Sequence, residues 1–290
     1  MSMYNEGRVT LICELSHNAN GSFERSIEMV EAAADAGADA IKVQVRTIPD
    51  DLPDPDKRKV VPWTGEEMSY AEYRQLCEYT PQQLSDLADL TRGLGMRFGA
   101  SCWGMNAVDT LCDAVTDGPD FFKAASASMT DLELIEEMSI RAWDRGIPLL
   151  LSSGGCELGD IEGAVQSCVA GCDLWLAQCT AEYPCRPEHL DIGVIDTMRE
   201  LYPDLLIGLS NHGVSVAPIV GAVALGARWV ELHFTLDRSL PGTDHAASFE
   251  PSGVRKVRSY VDTMMAALGD GTKRVHPAEA ATMAKLRRVS

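Results

Sequence analysis

Two lysines stand inside otherwise apolar runs. Lys42 lies in Ala40-Ile41-Lys42-Val43-Gln44-Val45, and Lys123 in Phe121-Phe122-Lys123-Ala124-Ala125-Ser126. An ammonium group taken out of water needs an anion beside it or it loses its proton. Three chemistries meet that need. Glu14 or Glu231 can be the partner, and the lysines are then structural ion pairs. The anion can instead be a phosphate or carboxylate of a substrate. Ser101, Ser126, Ser152 and Ser210, at the ends of similar runs, favour this, because lysines and hydroxyls together cradle oxyanions. Burial can also leave a neutral, nucleophilic amine for Schiff-base chemistry, but the surrounding hydroxyls suit anion binding better.

His212 and His233 follow or end two further apolar runs. If those runs are neighbouring strands, they stand ~4.8 Å apart. Two imidazoles can then meet one metal ion, with Glu14 on the next strand of a closed barrel. Such ligands, with open positions, suit Mn²⁺, Fe²⁺ or Zn²⁺, and no motif selects among them. The alternative is a pair of hydrogen-bonded structural histidines. Residues 235–245 form a long polar loop, the kind that touches substrate. Its plainer reading is a solvated loop held by Asp237–Arg238 pairing.

These residues need elements to position them, and one pattern repeats along the chain. Apolar runs at residues 9–15, 40–45, 97–101, 121–126, 148–153, 174–179, 205–210 and 229–234 read as strands. Each is followed by a helical pattern, the last being 253–268. The first helix, 22–38, carries Ile27, Val30, Ala34 and Ala38 at helical spacing and Gly37 near its end. Thr80-Pro81-Gln82-Gln83 and Thr130-Asp131-Leu132-Glu133 read as capping boxes. Residues 46–79 are a long insertion with no clear period. Eight strand–helix units in about 260 residues match an α/β fold, the (β/α)₈ TIM barrel, as a single domain. A doubly wound sheet would want a glycine-rich turn after its first strand, and Glu14-Leu15-Ser16-His17-Asn18 is no such turn. The barrel is expected over 1–270, and 271–290 as a short basic tail or solvated helix. In this fold the strand ends share one rim, where active sites lie. Lys42, Gln44, Lys123, the serines and both histidines all fall there.

The composition of the 290 residues narrows the partners. There are 43 Asp+Glu against 25 Lys+Arg, a formal charge of -18. That balance argues against nucleic acid or an anionic membrane as the main partner, though not against a small anionic ligand in a local cationic pocket. No apolar run is long enough to span a membrane. The polar start implies no secretory signal. Nine cysteines without CxxC or zinc spacing read as free thiols in the cytoplasm.

Four segments also resemble a known family: Ile12-Cys13-Glu14-Leu15-Ser16-His17-Asn18, Ala38-Asp39-Ala40-Ile41-Lys42-Val43-Gln44, Gly208-Leu209-Ser210-Asn211-His212, and Glu231-Leu232-His233-Phe234-Thr235-Leu236-Asp237-Arg238 with Pro241-Gly242-Thr243-Asp244-His245. Together they look like the sialic acid synthase family, over residues 9 to about 289. Its members condense phosphoenolpyruvate with an aldehyde sugar, usually N-acetylmannosamine, using a divalent metal. The resemblance implies Mn²⁺, with Mg²⁺ or Co²⁺ as alternatives. It gives His212 and His233 as metal ligands. Lys42, Lys123, Ser126, Ser152 and Ser210 become phosphoenolpyruvate contacts, with Ser101 where the family usually has Thr. Glu14 becomes an acidic residue beside the metal and its water, and Gln44, Tyr183 and Asp244 contacts to the acceptor. A homodimer is also implied.

The same resemblance marks departures. Ser128, Ala181 and Ala19 stand where the family usually has Glu, Asn or Ser, and His. Most members carry a C-terminal antifreeze-like domain, and Ser290 falls where its linker would begin; a piece of a longer enzyme is the alternative to a chain without it. The phosphoenolpyruvate half of the site is thus expected intact and the acceptor half altered, for an acceptor other than N-acetylmannosamine. The expected product is a 2-keto-3-deoxy acid, with Glu14 or a metal-held water as base. Two rivals remain: another metal-dependent barrel aldolase or lyase acting without phosphate, and a non-catalytic barrel serving as a binding partner.

Overall fold

The computed structural model describes residues 3–5 and 7–289. Eight parallel strands close a barrel. They are β1 (Thr10–Glu14), β2 (Ala40–Val45), β5 (Arg97–Cys102), β6 (Phe121–Ala124), β7 (Leu149–Ser152), β8 (Leu174–Cys179), β9 (Leu206–Asn211) and β10 (Trp229–His233). Between β2 and β5 lies the excursion that showed no period. It holds a small antiparallel pair, β3 (Arg58–Val60) and β4 (Glu67–Ser69), and the short helix α2 (Tyr70–Gln75). The other helices are α1 (Phe23–Asp35), α3 (Pro81–Gly93), α4 (Met105–Ala114), α5 (Leu132–Arg145), α6 (Leu158–Ser167), α7 (Val194–Leu201), α8 (Val216–Ala224), α9 (Pro251–Leu268) and α10 (Pro277–Leu286). The TIM barrel expectation holds. No helix among the described residues is long and apolar enough to cross a membrane.

Side chains alternate across each strand with a period of two. One set, including Leu11, Cys13, Ile41, Val43 and Leu209, packs outward against the helices in the large core. The other set points inward and makes two tiers. The lower tier is apolar: Ile12, Ala40, Phe121, Leu150, Trp175, Ala177 and Trp229 form a second, smaller core. Two residues further along each strand, the upper tier is polar: Glu14, Lys42, Ser101, Lys123, Ser152 and Glu231. Glycine makes room in the lower tier. A Cβ at Gly208 would stand 2.4 Å from the Trp229 ring, and one at Gly99 2.6 Å from Phe121.

Local signals came out as read, with two exceptions. Thr80 and Gln83 form the capping box of α3 with Pro81 in its first turn. At α5 the cap is Asp131, not Thr130: its side chain accepts from Leu134 N at 3.1 Å. Asp and Thr compete for the same orphan amides, and the carboxylate won. The long loop also differs from its plainer reading. Asp237 accepts from Ser239, while Arg238 donates to the Ala246 carbonyl, so the two are not paired with each other. Helix α10 buries none of its residues.

Candidate active site

Strand register sets the polar tier. Glu14 stands beside Lys42 on one side and His233 on the other; Ser101 stands beside both Gln44 and Lys123; Ser210 stands beside Glu231. A cavity of about 370 Å³ opens above them. All twelve residues expected at the site line it: Glu14, Lys42, Gln44, Ser101, Lys123, Ser126, Ser152, Tyr183, Ser210, His212, His233 and Asp244. Of the three family departures, Ala181 lines it too. Ala19 and Ser128 are buried and do not line it.

Both lysines are buried and partnered. Lys42 Nζ lies 2.8 Å from Glu14 Oε2 and 3.4 Å from Glu231 Oε1, and donates to Ser101 Oγ at 2.7 Å. Lys123 Nζ donates to Ser152 Oγ at 2.6 Å and sits 3.8 Å from Glu231 Oε2. The ion-pair reading is therefore realised: the carboxylates hold the ammoniums, and the hydroxyls of Ser101 and Ser152 accept from them. Burial works to lower the pKa of Lys42, but Glu14 and Glu231 outweigh it and raise it. Burial wins at Lys123, whose pKa is lowered, since Glu231 offsets it only in part and Lys42 repels. Burial would raise Glu231, but Lys123 and Lys42 hold it down at about 2.

The histidine rings meet edge to face, with centroids 5.3 Å apart. His212 Nδ1 lies 2.7 Å from the Thr180 carbonyl. A protonated Nδ1 donates there, and in the neutral ring this leaves Nε2 as the nitrogen that could hold a metal ion. Burial works to lower the pKa of His212, but Cys179 and the Thr180 carbonyl outweigh it and raise it. His233 Nδ1 is buried without a hydrogen-bond partner, 3.6 Å from Asp244 Oδ2. Burial depresses the pKa of His233, which keeps it neutral. Tyr183 covers the pair, 3.9 Å from the His212 ring and 5.5 Å from His233. No group of three or more His, Cys, Asp or Glu among the described residues gathers as a metal cluster. The chain offers two nitrogen donors, which fits an ion whose other positions belong to substrate and water.

Close approach shapes the rest. Gly154 N donates to Ser126 Oγ at 3.1 Å, and a Cβ there would stand 2.6 Å from that oxygen. Sequence reasoning missed the wall built by the 46–79 excursion: Arg46, Lys59, Tyr73 and Arg74, together with His17 and Trp103. Its one readable signal was helical, since Tyr70, Tyr73 and Arg74 stand at i, i+3 and i+4. Five Lys and Arg and three carboxylates line the cavity, against 25 and 43 in the whole chain.

The NeuB family model matches residues 29–273. That is most of the chain. This protein belongs to the NeuB family. Among NeuB-like relatives, N-acetylneuraminate-9-phosphate synthase of Mus musculus is 30 % identical over 282 residues, 95 % of this chain and 76 % of that one. N,N'-diacetyllegionaminic acid synthase of Campylobacter jejuni is 28 % identical over 280 residues, covering 94 % of this chain and 81 % of that one. A solved N-acetylneuraminic acid synthetase from Leptospira borgpetersenii superposes with a TM-score of 0.83 at 24 % identity, over 97 % of this chain and 93 % of that one. That last likeness speaks for the fold.

Proposed function

We propose that this NeuB-family chain condenses phosphoenolpyruvate with an aldehyde sugar, giving a 2-keto-3-deoxy acid and inorganic phosphate. One observation carries the reading: a lysine–serine cradle and two convergent histidines share a single cavity. The relatives' names fit it, since they are synthases of sialic, legionaminic and pseudaminic acids.

Lys42 and Lys123, with Ser101, Ser126, Ser152 and Ser210, bind the phosphate and carboxylate of phosphoenolpyruvate. A divalent metal on His212 and His233, Mn²⁺ in this proposal, supplies a Lewis acid for the acceptor carbonyl. Gln44, Tyr183 and Asp244 orient the acceptor. C3 of phosphoenolpyruvate forms a bond to the aldehyde carbon, whose oxygen takes up a proton. Water then adds at C2, and the proton it gives to Glu14 makes good the one taken up by the acceptor oxygen. The C2–O bond to phosphate breaks, C2 becomes the ketone, and the hydroxyl proton leaves with the phosphate. The lysines stabilise the charge gathering on the departing group.

The test is phosphate release from phosphoenolpyruvate with Mn²⁺ and a panel of aldehydes including N-acetylmannosamine. Release that needs an aldehyde supports the condensation; none with any aldehyde refutes it. A keto-acid lyase would turn over without phosphate release. The reading includes a cytoplasmic site, supported by nine free thiols, and a homodimer, which sedimentation velocity checks.

A further inference from the structure

The inward period of β2 runs on past the end of the strand. Ala40 belongs to the apolar tier and Lys42 to the polar one; Gln44 and Arg46 follow at the same spacing and line the cavity. Trp103 stands likewise one position beyond β5, and its amide donates to the Val45 carbonyl at 3.2 Å. The proposed reaction gives Arg46 no task, yet Arg46 is firmly anchored. Its amide donates to Glu78 Oε2 at 2.9 Å, and its guanidinium lies 3.4 Å from Glu78 Oε1 and 3.9 Å above the Trp103 ring. Both side chains of the ion pair are buried, only 2 % and 7 % exposed.

From that anchor Arg46 reaches the polar tier: Nη2 donates to Gln44 Oε1 at 2.6 Å. A guanidinium has donors and no acceptor, so it can face only the oxygen end of an amide. The nitrogen end is thereby turned the other way, where Gln44 Nε2 donates to Glu14 Oε1 at 3.1 Å and lies 3.4 Å from Ser16 Oγ. The last torsion of a glutamine is soft and roughly two-fold. Turned end for end here, the amide would set N–H against N–H at Arg46 and oxygen against oxygen at Glu14. Glu14 Oε1 also accepts from Ser16 N at 3.0 Å, and Oε2 lies 2.8 Å from Lys42 Nζ. We infer that Arg46 is a positioning residue: anchored on Glu78 and Trp103, it imposes the sense of the Gln44 amide and through it holds the Glu14 carboxylate for proton transfer. The inference rests on the proposed condensation, in which Glu14 takes a proton from the attacking water.

The experiment measures phosphate release from phosphoenolpyruvate with Mn²⁺ and whichever aldehyde the protein consumes. Arg46→Gln can accept as well as donate, so it permits the reversed amide; pairing it with Glu78→Gln leaves no buried carboxylate without its partner. This paired variant should lose about tenfold or more in kcat, with the KM for phosphoenolpyruvate changed by about twofold or less. Arg46→Lys, which can only donate, should keep kcat within about threefold of the parent. In a Gln44→Ala background the same changes should alter kcat by about twofold or less, because the amide they act through is gone. Losses that add in full to that of Gln44→Ala overturn the inference, as does an Arg46→Lys loss as deep as that of the paired variant. If no aldehyde is consumed, the condensing function fails by itself. Hydrogen exchange at the Gln44 side-chain amide, read by NMR, then decides the positioning, as it does where turnover in the Gln44→Ala background is too low to measure. Slow exchange in the parent and in Arg46→Lys with fast exchange in the paired variant upholds it, and equal exchange in all three ends it.

Discussion

His212 and His233 differ in how their nitrogens are committed. The Thr180 carbonyl fixes one ring, while the other keeps a buried nitrogen without a partner. His233→Ala should therefore abolish both Mn²⁺ binding and phosphate release, and a metal titration of the purified variant checks this independently of turnover. Full activity of that variant without added metal would refute the assignment. Glu231 carries a different prediction. Two ammoniums hold its folded pKa at about 2, below the roughly 4.3 of an unfolded glutamate. Its stabilisation is present above roughly pH 4.3 and is lost as pH falls through the folded value near 2. Glu231→Gln should lose a few kcal/mol at neutral pH and flatten the acid limb of the stability curve. Denaturant midpoints across pH 2 to 7 measure both.

At the scale of elements, the barrel strands carry a simple rule: apolar inward residue, then polar inward residue two positions on. Glycine enters where an aromatic fills the lower tier. Gly208→Ala should cost about 1–3 kcal/mol, because the new methyl meets the Trp229 ring and neither can move far. A lowered denaturant midpoint checks it; an unchanged one would mean that the tier repacks freely. The same rule explains what was legible. Lys42 and Lys123 stood out because a charge in an apolar strand needs a reason, and period two placed both on one rim. The excursion was illegible because its function comes from no period. Arg46, Lys59 and Arg74 sit on a strand end, a three-residue strand and a six-residue helix, and only tertiary packing brings them together.

For the molecule as a whole, charge and shape divide the labour. The exterior is acidic while the cavity lining is richer in cations than in carboxylates. Helix α10 buries nothing, so removing residues 271–290 should change stability by less than about 0.5 kcal/mol. A shift of several degrees in the melting temperature would show that the tail packs somewhere after all. The two halves of the cavity also come from different kinds of chain. The lysines and serines of the polar tier stand on strands that are each held by two neighbours in the closed barrel, whereas the cationic wall hangs largely on one excursion between β2 and β5. Exchanging residues 46–79 would thus rewrite that wall while leaving the strand-borne lysines and serines where the barrel holds them.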